Sequence, residues 1–206
     1  MNLKQHIRPD SEQISERAFK DLKYYQSKLE YPEEIFISNR DYKTFRNDDL
    51  STNVLVELSK SISGHEFSEL DAIAQYIKHN TISKILSEEF PEITNDILGI
   101  AMIEMKHFEE LCNFFLKFDL NLMIDSKNCL EIKANASVYD NLSFALSGEH
   151  KTIEQYKKVY NDVDNTKFSN EFKTYLKRFL NKLITDEERH VEILEKDLDK
   201  LEDYEG

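Results

Sequence analysis

The chain has 206 residues, 33% of them charged, and a formal net charge of -13. This length suits one buried core, and the acidic excess argues against a groove that neutralises nucleic-acid phosphates. With only 4 Gly and 3 Pro, the composition favours long amphipathic helices over a sandwich, a barrel or a disordered chain. We therefore expect an all-α protein that does not bind nucleic acid.

Targeting signals and cysteine patterns exclude further classes. No stretch reaches the roughly 18 to 20 uninterrupted apolar residues of a membrane span, and the N-terminal MNLKQHIRPD lacks the apolar core of a signal peptide. Cys112 and Cys129 form no C-x-x-C motif, which argues against a disulfide framework or a thiolate zinc site. We expect a cytoplasmic protein without membrane association, with both thiols reduced and buried.

The first 50 residues are predicted to form a helix and a connector. Apolar residues at steps of three and four indicate a leading helix over about residues 10–30. The connector that follows alternates at Ile35 and Ile37, which we expect to pair with a second alternating segment at Leu130 and Ile132.

Two long helices are predicted next. The first runs from about Ser51 into the low 80s, with Gly64 tolerated inside it. The second follows the break at Pro91, with Thr94 or Asn95 as the expected cap.

Two more long helices complete the pattern, one over about residues 137–160 and one from beyond NDVDNT to about Leu201. Four long helices joined by a short, a long and a short connection indicate a bundle with one crossover. The predicted organisation is an N-terminal helix and connector over residues 1–50 and a four-helix bundle over residues 51–206.

Glutamates interrupt the apolar stripes of all four helices, and their motifs are duplicated. The first and third helices share E-x-x-[AT]-I-x-Q-Y, and the second and fourth share E-x-x-H. The motif ends are Glu69 and Tyr76, Glu149 and Tyr156, Glu104 and His107, and Glu187 and His190. The chain therefore resembles a duplicated helix hairpin.

The spacing places these motifs at one level of the bundle. In an antiparallel hairpin, residues equally far from the turn lie side by side. Glu69 and Glu104 are equidistant from the break before Pro91, and Glu149 and Glu187 are equidistant from a point just past NDVDNT.

Four carboxylates in an apolar interior require compensation, because each would cost several kcal/mol if ionised and unpaired. Two divalent cations supply it, and the E-x-x-H spacing puts both ligands on one helix face. Oxygen-rich ligation with two imidazoles suits iron or manganese and does not distinguish them. The predicted ligands of two Fe or two Mn ions are Glu69, Glu104, His107, Glu149, Glu187 and His190.

Neighbouring residues define the alternatives. Glu66 or Glu188 would replace a ligand if the register shifts, and Glu109, Glu110 and Glu154 are expected on the surface. Surface or structural roles are expected for the remaining histidines, His6, His65, His79 and His150.

Three further residues are candidates for supporting the metal site. Tyr76 and Tyr156 each lie seven residues after a ligand, so each is either a packed ring with a bonded hydroxyl or a donor or oxidisable ring near the metals. Asp186 either accepts the second N–H of a ligating imidazole or is an ordinary solvated residue.

The segments SELDAIAQY, IEMKHFEEL and DEERHVEIL resemble the ferritin-like superfamily, most closely its bacterioferritin, rubrerythrin and manganese-catalase branches. The resemblance covers about residues 53–200. It implies a ferritin-like four-helix bundle and the six metal ligands already named, with Glu104 and Glu187 in the bridging positions. It also aligns Tyr76 with the tyrosine beside the bacterioferritin metal site.

The resemblance further implies a reduced dimetal centre that reacts with dioxygen or hydrogen peroxide, in a chain that can form a homodimer. Rubrerythrins usually carry a Cys-rich electron-transfer module that this sequence lacks, so we expect the reductant to be a separate protein. Met105 occupies the place of the bacterioferritin haem-ligating methionine, but a packing role explains it equally well and we expect no haem.

The leading functional hypothesis is a dimetal oxidoreductase of the peroxidase, catalase or ferroxidase type. The alternatives are an iron storage or buffering protein, a helical binding module with a structural metal site, and an oxygenase with an apolar substrate pocket beside the metals.

Overall fold

The computed structural model describes residues 49–63, 67–84, 90–117 and 137–205. The chain divides between Phe36 and Ile37, and every described residue belongs to the second unit. The predicted leading helix, the connector and the pairing of residues 35–37 with residues 130–132 lie outside the described residues.

The described residues form five α-helices and one short 3-10 helix, without a strand, which confirms the all-α class. The α-helices are α1 (Asp49–Ser63), α2 (Glu69–Ser83), α3 (Pro91–Lys117), α4 (Val138–Asp162) and α5 (Asn170–Glu205). The 3-10 helix Val163–Asn165 and the residues after it join α4 to α5, where NDVDNT predicted a break. None of the described helices is long and apolar enough to span a membrane.

The predicted single helix from Ser51 to the low 80s is wrong, because the structure has two helices there. Ser68 has an extended backbone with φ -79° and ψ 158° and stands at the N-cap of α2. Its carbonyl accepts the first helical hydrogen bond from Ala72 at 2.9 Å, while its hydroxyl donates to Asp71 at 3.0 Å. The extended backbone at Ser68 is the non-helical conformation of an N-cap residue, so α2 starts here as a separate helix.

The predicted cap at Thr94 or Asn95 is also wrong, because α3 begins at Pro91. Proline suits the first helical position, where its missing N–H has no partner to lose. Thr94 instead links α3 to α2 by two hydrogen bonds. Its hydroxyl donates to the carbonyl of Ser83 at 3.3 Å, and its carbonyl accepts from the side chain of Asn80 at 2.7 Å.

The bundle consists of two helix hairpins, α2 with α3 and α4 with α5, with α1 packed against the described parts of both. Two apolar clusters form the core. The first joins α1 to the C-terminal parts of α3 and α4 and the N-terminal part of α5, and contains Leu58, Leu111, Phe115, Val159 and Leu176. The second joins α2 to the opposite ends of α3, α4 and α5, and contains Tyr76, Ile97, Leu142 and Leu194.

The two clusters leave a polar level between them. Along α3 the buried apolar residues of the two clusters are interrupted between Ala101 and Leu111, and along α5 they are interrupted between Ile184 and Leu194. The predicted ligands of both helices fall in these gaps. The fold thus encloses the site above and below with apolar side chains.

Candidate metal centre

The structure brings all six predicted ligands together at this level. They form two groups, each with one ligand atom per residue within 4.8 Å of the others. The first group is Glu69, Glu104, His107 and Glu187, and the second is Glu104, Glu149, Glu187 and His190. Glu104 and Glu187 belong to both groups, so the arrangement can hold two cations that share two carboxylates.

Each imidazole points its Nδ1 atom into the centre. His107 Nδ1 lies 3.1 Å from Glu187, 3.6 Å from Glu104 and 3.7 Å from Glu69. His190 Nδ1 lies 3.0 Å from both Glu104 and Glu187, and 3.7 Å from Glu149. The ring centroids are 6.0 Å apart. Each imidazole therefore faces both shared carboxylates and one outer carboxylate.

Orphaned polar atoms show that hydrogen bonds alone do not satisfy this cluster. All six residues are buried, with at most 5% of any of them exposed. Buried atoms of Glu69, Glu104, His107 and Glu187 have no hydrogen bond of good geometry among the described residues. Unsatisfied buried groups are costly, whereas oxygen ligands with imidazole nitrogen suit iron or manganese. The donor set fits a pair of such cations.

In the absence of metal, the four carboxylates differ in the direction of their pKa shifts. Burial and the charge of Glu104 raise the pKa of Glu69 well above its ordinary value, and burial and the charges of Glu187 and Glu104 do the same for Glu149. Burial also opposes ionisation of the shared pair, and for Glu187 the charge of Glu104 adds to this effect. Contacts with His107 and His190 nevertheless lower the pKa of both Glu104 and Glu187. The outer carboxylates therefore hold their protons more tightly than the shared pair does.

The imidazoles complete the charge balance. Burial opposes their protonation, but the surrounding carboxylates outweigh it and raise the pKa of His107 and His190 well above the ordinary value. With protons on both imidazoles and on both outer carboxylates, the six ligands together carry no net charge. Two divalent cations with four carboxylates and neutral imidazoles are neutral as well. Metal would exchange with protons here without leaving a buried net charge.

Two tyrosines bridge the two halves of the duplication. The Tyr76 hydroxyl of α2 donates to Glu149 of α4, and the Tyr156 hydroxyl of α4 donates to Glu69 of α2. Burial and the nearby carboxylates raise the pKa of both phenols, so these hydroxyls stay protonated donors. Each outer carboxylate is thus held by a tyrosine from the other half.

Asp186 lies behind one imidazole, with its Oδ2 3.2 Å from His107 Nε2. Burial opposes its ionisation, but the hydrogen bond from His107 holds the pKa of Asp186 below its ordinary value. An anionic acceptor at Nε2 keeps the proton there and leaves Nδ1 directed at the centre.

The other sequence candidates lie apart from the two groups. Glu188 is exposed and pairs with Lys157 at 2.7 Å, and His150 is exposed. His79 is buried but in neither group, and Met105 lies on the outer face of α3 with 44% of its surface exposed. Cys112 is a free, half-buried thiol, while Glu66, His6, His65 and Cys129 lie outside the described residues.

Sequence reasoning missed the wall of a small cavity beside the ligands. The cavity has a volume of about 30 Å³ and is lined by side chains of α2, α3 and α4 together with Phe67, which precedes α2. Three ligands, Glu69, Glu104 and Glu149, reach it, and neither His107 nor His190 is part of its lining. The available signal was Gly148, a glycine inside a helical pattern directly before a ligand.

Comparison with known proteins agrees with this geometry. Residues 58–198 match the sequence profile of the Rubrerythrin family. A search of curated protein sequences gives no match.

The fold is similar to that of solved bacterioferritins. Bacterioferritin BfrA of Mycobacterium tuberculosis is 22% identical with a TM-score of 0.61, over 74% of this chain and 87% of that chain. A Rhodobacter capsulatus bacterioferritin, solved with haem iron and a metal-free dinuclear site, is 22% identical with a TM-score of 0.61, over 75% of this chain and 88% of that chain.

Fold and site together define the class, a ferritin-like protein with a dimetal carboxylate site. Because the family profile covers more than half of the sequence, the assignment is specific. The chain belongs to the rubrerythrin family.

Proposed function

We propose that this protein is an oxidoreductase whose dimetal centre reacts with hydrogen peroxide or dioxygen. The proposed ligands are Glu69, Glu104, His107, Glu149, Glu187 and His190, with Glu104 and Glu187 shared between two Fe or two Mn ions. The observation that carries the proposal is the pair of overlapping ligand groups that meet at these two carboxylates. A purely structural site needs one closed ligand set, whereas two cations side by side suit a two-electron reaction.

The metal pair would supply two electrons, which together with two protons convert hydrogen peroxide to two waters. The chain's own residues prepare for such ions. The lowered pKa of Glu104 and of Glu187 reduces the competition between protons and a cation for these two carboxylates. Asp186 directs Nδ1 of His107 at the first position. Glu69 and Glu149, each held by a tyrosine hydroxyl, complete the two outer positions.

The cavity is a second observation that favours a small oxidant. It borders on Glu69, Glu104 and Glu149, so a molecule inside it lies against the carboxylate side of the centre. Phe67, Ala72 and Ala145 contribute apolar surface to its wall. A wall of this kind leaves room for a small molecule directly beside the carboxylates.

The test compares metal binding and oxidant reactivity in two matched double variants. Purified protein is loaded anaerobically with Fe(II) or with Mn(II), its metal content is measured, and hydrogen peroxide or dioxygen is added with optical monitoring. We expect two metals per chain in the wild type and loss of both metals and reactivity in Glu104→Ala/His107→Ala. The control Glu109→Ala/His150→Ala changes the same residue types at exposed positions and should behave like the wild type.

The outcomes separate the remaining functions. Rapid oxidation by peroxide but not dioxygen indicates a peroxidase, and evolution of dioxygen from peroxide indicates a catalase. Uptake of iron far beyond two ions per chain would replace the proposal with storage. A metal-replete protein that reacts with neither oxidant would contradict it and favour a structural metal site.

A further inference from the structure

The cavity beside the metal centre is small and partly open to solvent. Its volume of about 30 Å³ is well below the roughly 150 Å³ of a protein cavity that binds benzene. Hydrogen peroxide and dioxygen each have two heavy atoms and fit. A hydroperoxide with a phenyl or tertiary alkyl group does not fit unless the wall moves.

Phe67 forms part of the wall of this cavity. Its ring packs against Phe144 with centroids 5.9 Å apart, and Lys151 Nζ lies 4.2 Å from the ring centroid on the outer side. Its carbonyl accepts a hydrogen bond from the Thr152 hydroxyl at 3.3 Å. The ring and the backbone of Phe67 are therefore both fixed to α4.

Gly148 is what lets the ring come this close. A Cβ atom at position 148 would lie 2.9 Å from Cδ1 and 3.3 Å from Cε1 of Phe67. Glycine within a helix costs about 1 kcal/mol relative to alanine, so its place in the middle of α4 needs a packing reason. Room for the Phe67 ring is such a reason.

The break between α1 and α2 places Phe67 at this point. α4 runs without interruption past its ligand Glu149, whereas α2 starts at its ligand Glu69, two residues after Phe67. The extended backbone at Ser68 separates Phe67 from the regular helix. The duplicated halves thus differ at the side of the centre where the cavity lies.

We propose that Phe67, seated against Gly148, is a size filter that admits hydrogen peroxide or dioxygen to the metal centre and excludes bulky organic hydroperoxides. This inference rests on the proposed function, whose reactive centre it protects. Phe67 acts by shape and contributes no ligand atom. Its removal should change which oxidants and anions reach the centre while leaving the six ligands in place.

The first experiment compares wild type, Phe67→Ala and the control Phe179→Ala, a similar truncation of a ring that packs on the first core cluster. Each is loaded with iron and reacted with hydrogen peroxide and with cumene hydroperoxide. In Phe67→Ala we expect the ratio of the cumene hydroperoxide rate to the hydrogen peroxide rate to rise by about 10-fold or more. The ratio in Phe179→Ala should equal that of the wild type.

A second readout does not depend on turnover. Azide and benzoate carry the same charge and differ in size, and their binding to the Fe(III)-loaded protein is followed optically. The wild type should bind azide and reject benzoate, and Phe67→Ala should bind both. If the loaded wild type binds benzoate as well as azide, the filter is wrong whatever the reactivity with peroxide.

A third measurement tests the contact between Phe67 and Gly148 in metal-free protein. Gly148→Ala should lower Tm by about 3 °C or more in the wild type and by much less in the Phe67→Ala background. Equal shifts in both backgrounds would overturn the assigned role of Gly148. Unchanged oxidant ratios in Phe67→Ala with full metal content would overturn the filter but not the proposed function. Failure of the wild type to bind metal would overturn both.

Discussion

The two imidazoles of the centre have unequal neighbours despite the duplicated sequence. Asp186 directly precedes the ligand Glu187 and accepts from Nε2 of His107. The equivalent residue before Glu104 is Ile103, whose side chain has no acceptor. An anionic partner makes an imidazole a stronger ligand, so the two metal positions should differ in affinity.

Removing this partner should weaken one position selectively. In Asp186→Asn we expect the metal bound beside His107 to lose affinity by about 10- to 100-fold, because the neutral amide no longer supports the imidazole. Isothermal titration calorimetry with Mn(II) under anaerobic conditions measures the affinity of both metal-binding steps. Glu188→Gln, an exposed change two positions along α5, is the control. Equal weakening of both steps, or of neither, would contradict the assigned role of Asp186.

At the scale of elements, α1 depends on its neighbours. It has 15 residues, and an isolated helix of that length is marginal in water. Leu58 is completely buried in the first core cluster, and Gln155 of α4 donates to the hydroxyl of Ser61 at 2.9 Å and to the carbonyl of Glu57 at 3.3 Å. These contacts hold α1 against α4, at the end of the bundle opposite the second cluster.

Truncation of this contact should destabilise the bundle without removing the ligands. Leu58→Ala is expected to lower the free energy of unfolding by about 2–5 kcal/mol, through lost burial and the cavity it leaves. Val56→Ala on the same helix, where 46% of the side chain is exposed, should cost about 0.5 kcal/mol or less. Guanidinium unfolding measures both, and similar losses in the two variants would show that α1 is not packed as described.

At the scale of the whole molecule, the shifted pKa values of the six ligands make the stability of the metal-free protein depend on pH. The raised pKa values of Glu69, Glu149, His107 and His190 mean that folding favours their protonated forms. Such groups contribute stability at low pH and lose it as the pH rises through their folded pKa. The lowered pKa values of Glu104 and Glu187 act in the opposite sense, but only at acid pH, below the ordinary carboxyl range.

The Tm of metal-free protein should therefore fall as the pH rises from about 6.5 to 9, because the imidazoles of the unfolded chain lose their protons in this range while those of the folded protein keep them. Metal-loaded protein has no such protons to lose, so its Tm should stay level or rise, and at 100 times Kd each of the two bound ions should add about 2.7 kcal/mol. Scanning calorimetry at several pH values checks both trends. A falling Tm in both forms would contradict the assigned protonation states.

Asp197 provides a control for this pH dependence. Burial and the charge of Asp96 raise the pKa of Asp197 to about 6, away from the metal centre. Its contribution is lost as the pH rises through about 6, so Asp197→Asn should flatten the curve near pH 6 and leave the decline above pH 6.5 intact.

The sequence by itself determined the all-α bundle and brought forward the six residues that the structure assembles. Apolar spacing and hairpin symmetry are periodic features, so they can be recognised from the sequence alone. Glu104 and His107, for example, share a face because they are three residues apart on one helix. The same signals misplaced the helix ends at Ser68 and Pro91. There the extended backbone at Ser68 and the fit of proline to the first helical position set where the helices begin, and apolar spacing indicates neither.

Only the tertiary structure decided what makes the duplicated halves unequal. The Phe67 ring meets Gly148 across 81 positions of sequence, and Asp186 meets His107 across 79. Such contacts depend on the packing of helices that share no local pattern. The interlocking of Tyr76 with Glu149 and of Tyr156 with Glu69 is likewise set by which hairpin lies opposite which, because a side chain's partner across a bundle is fixed by three-dimensional packing and not by periodicity.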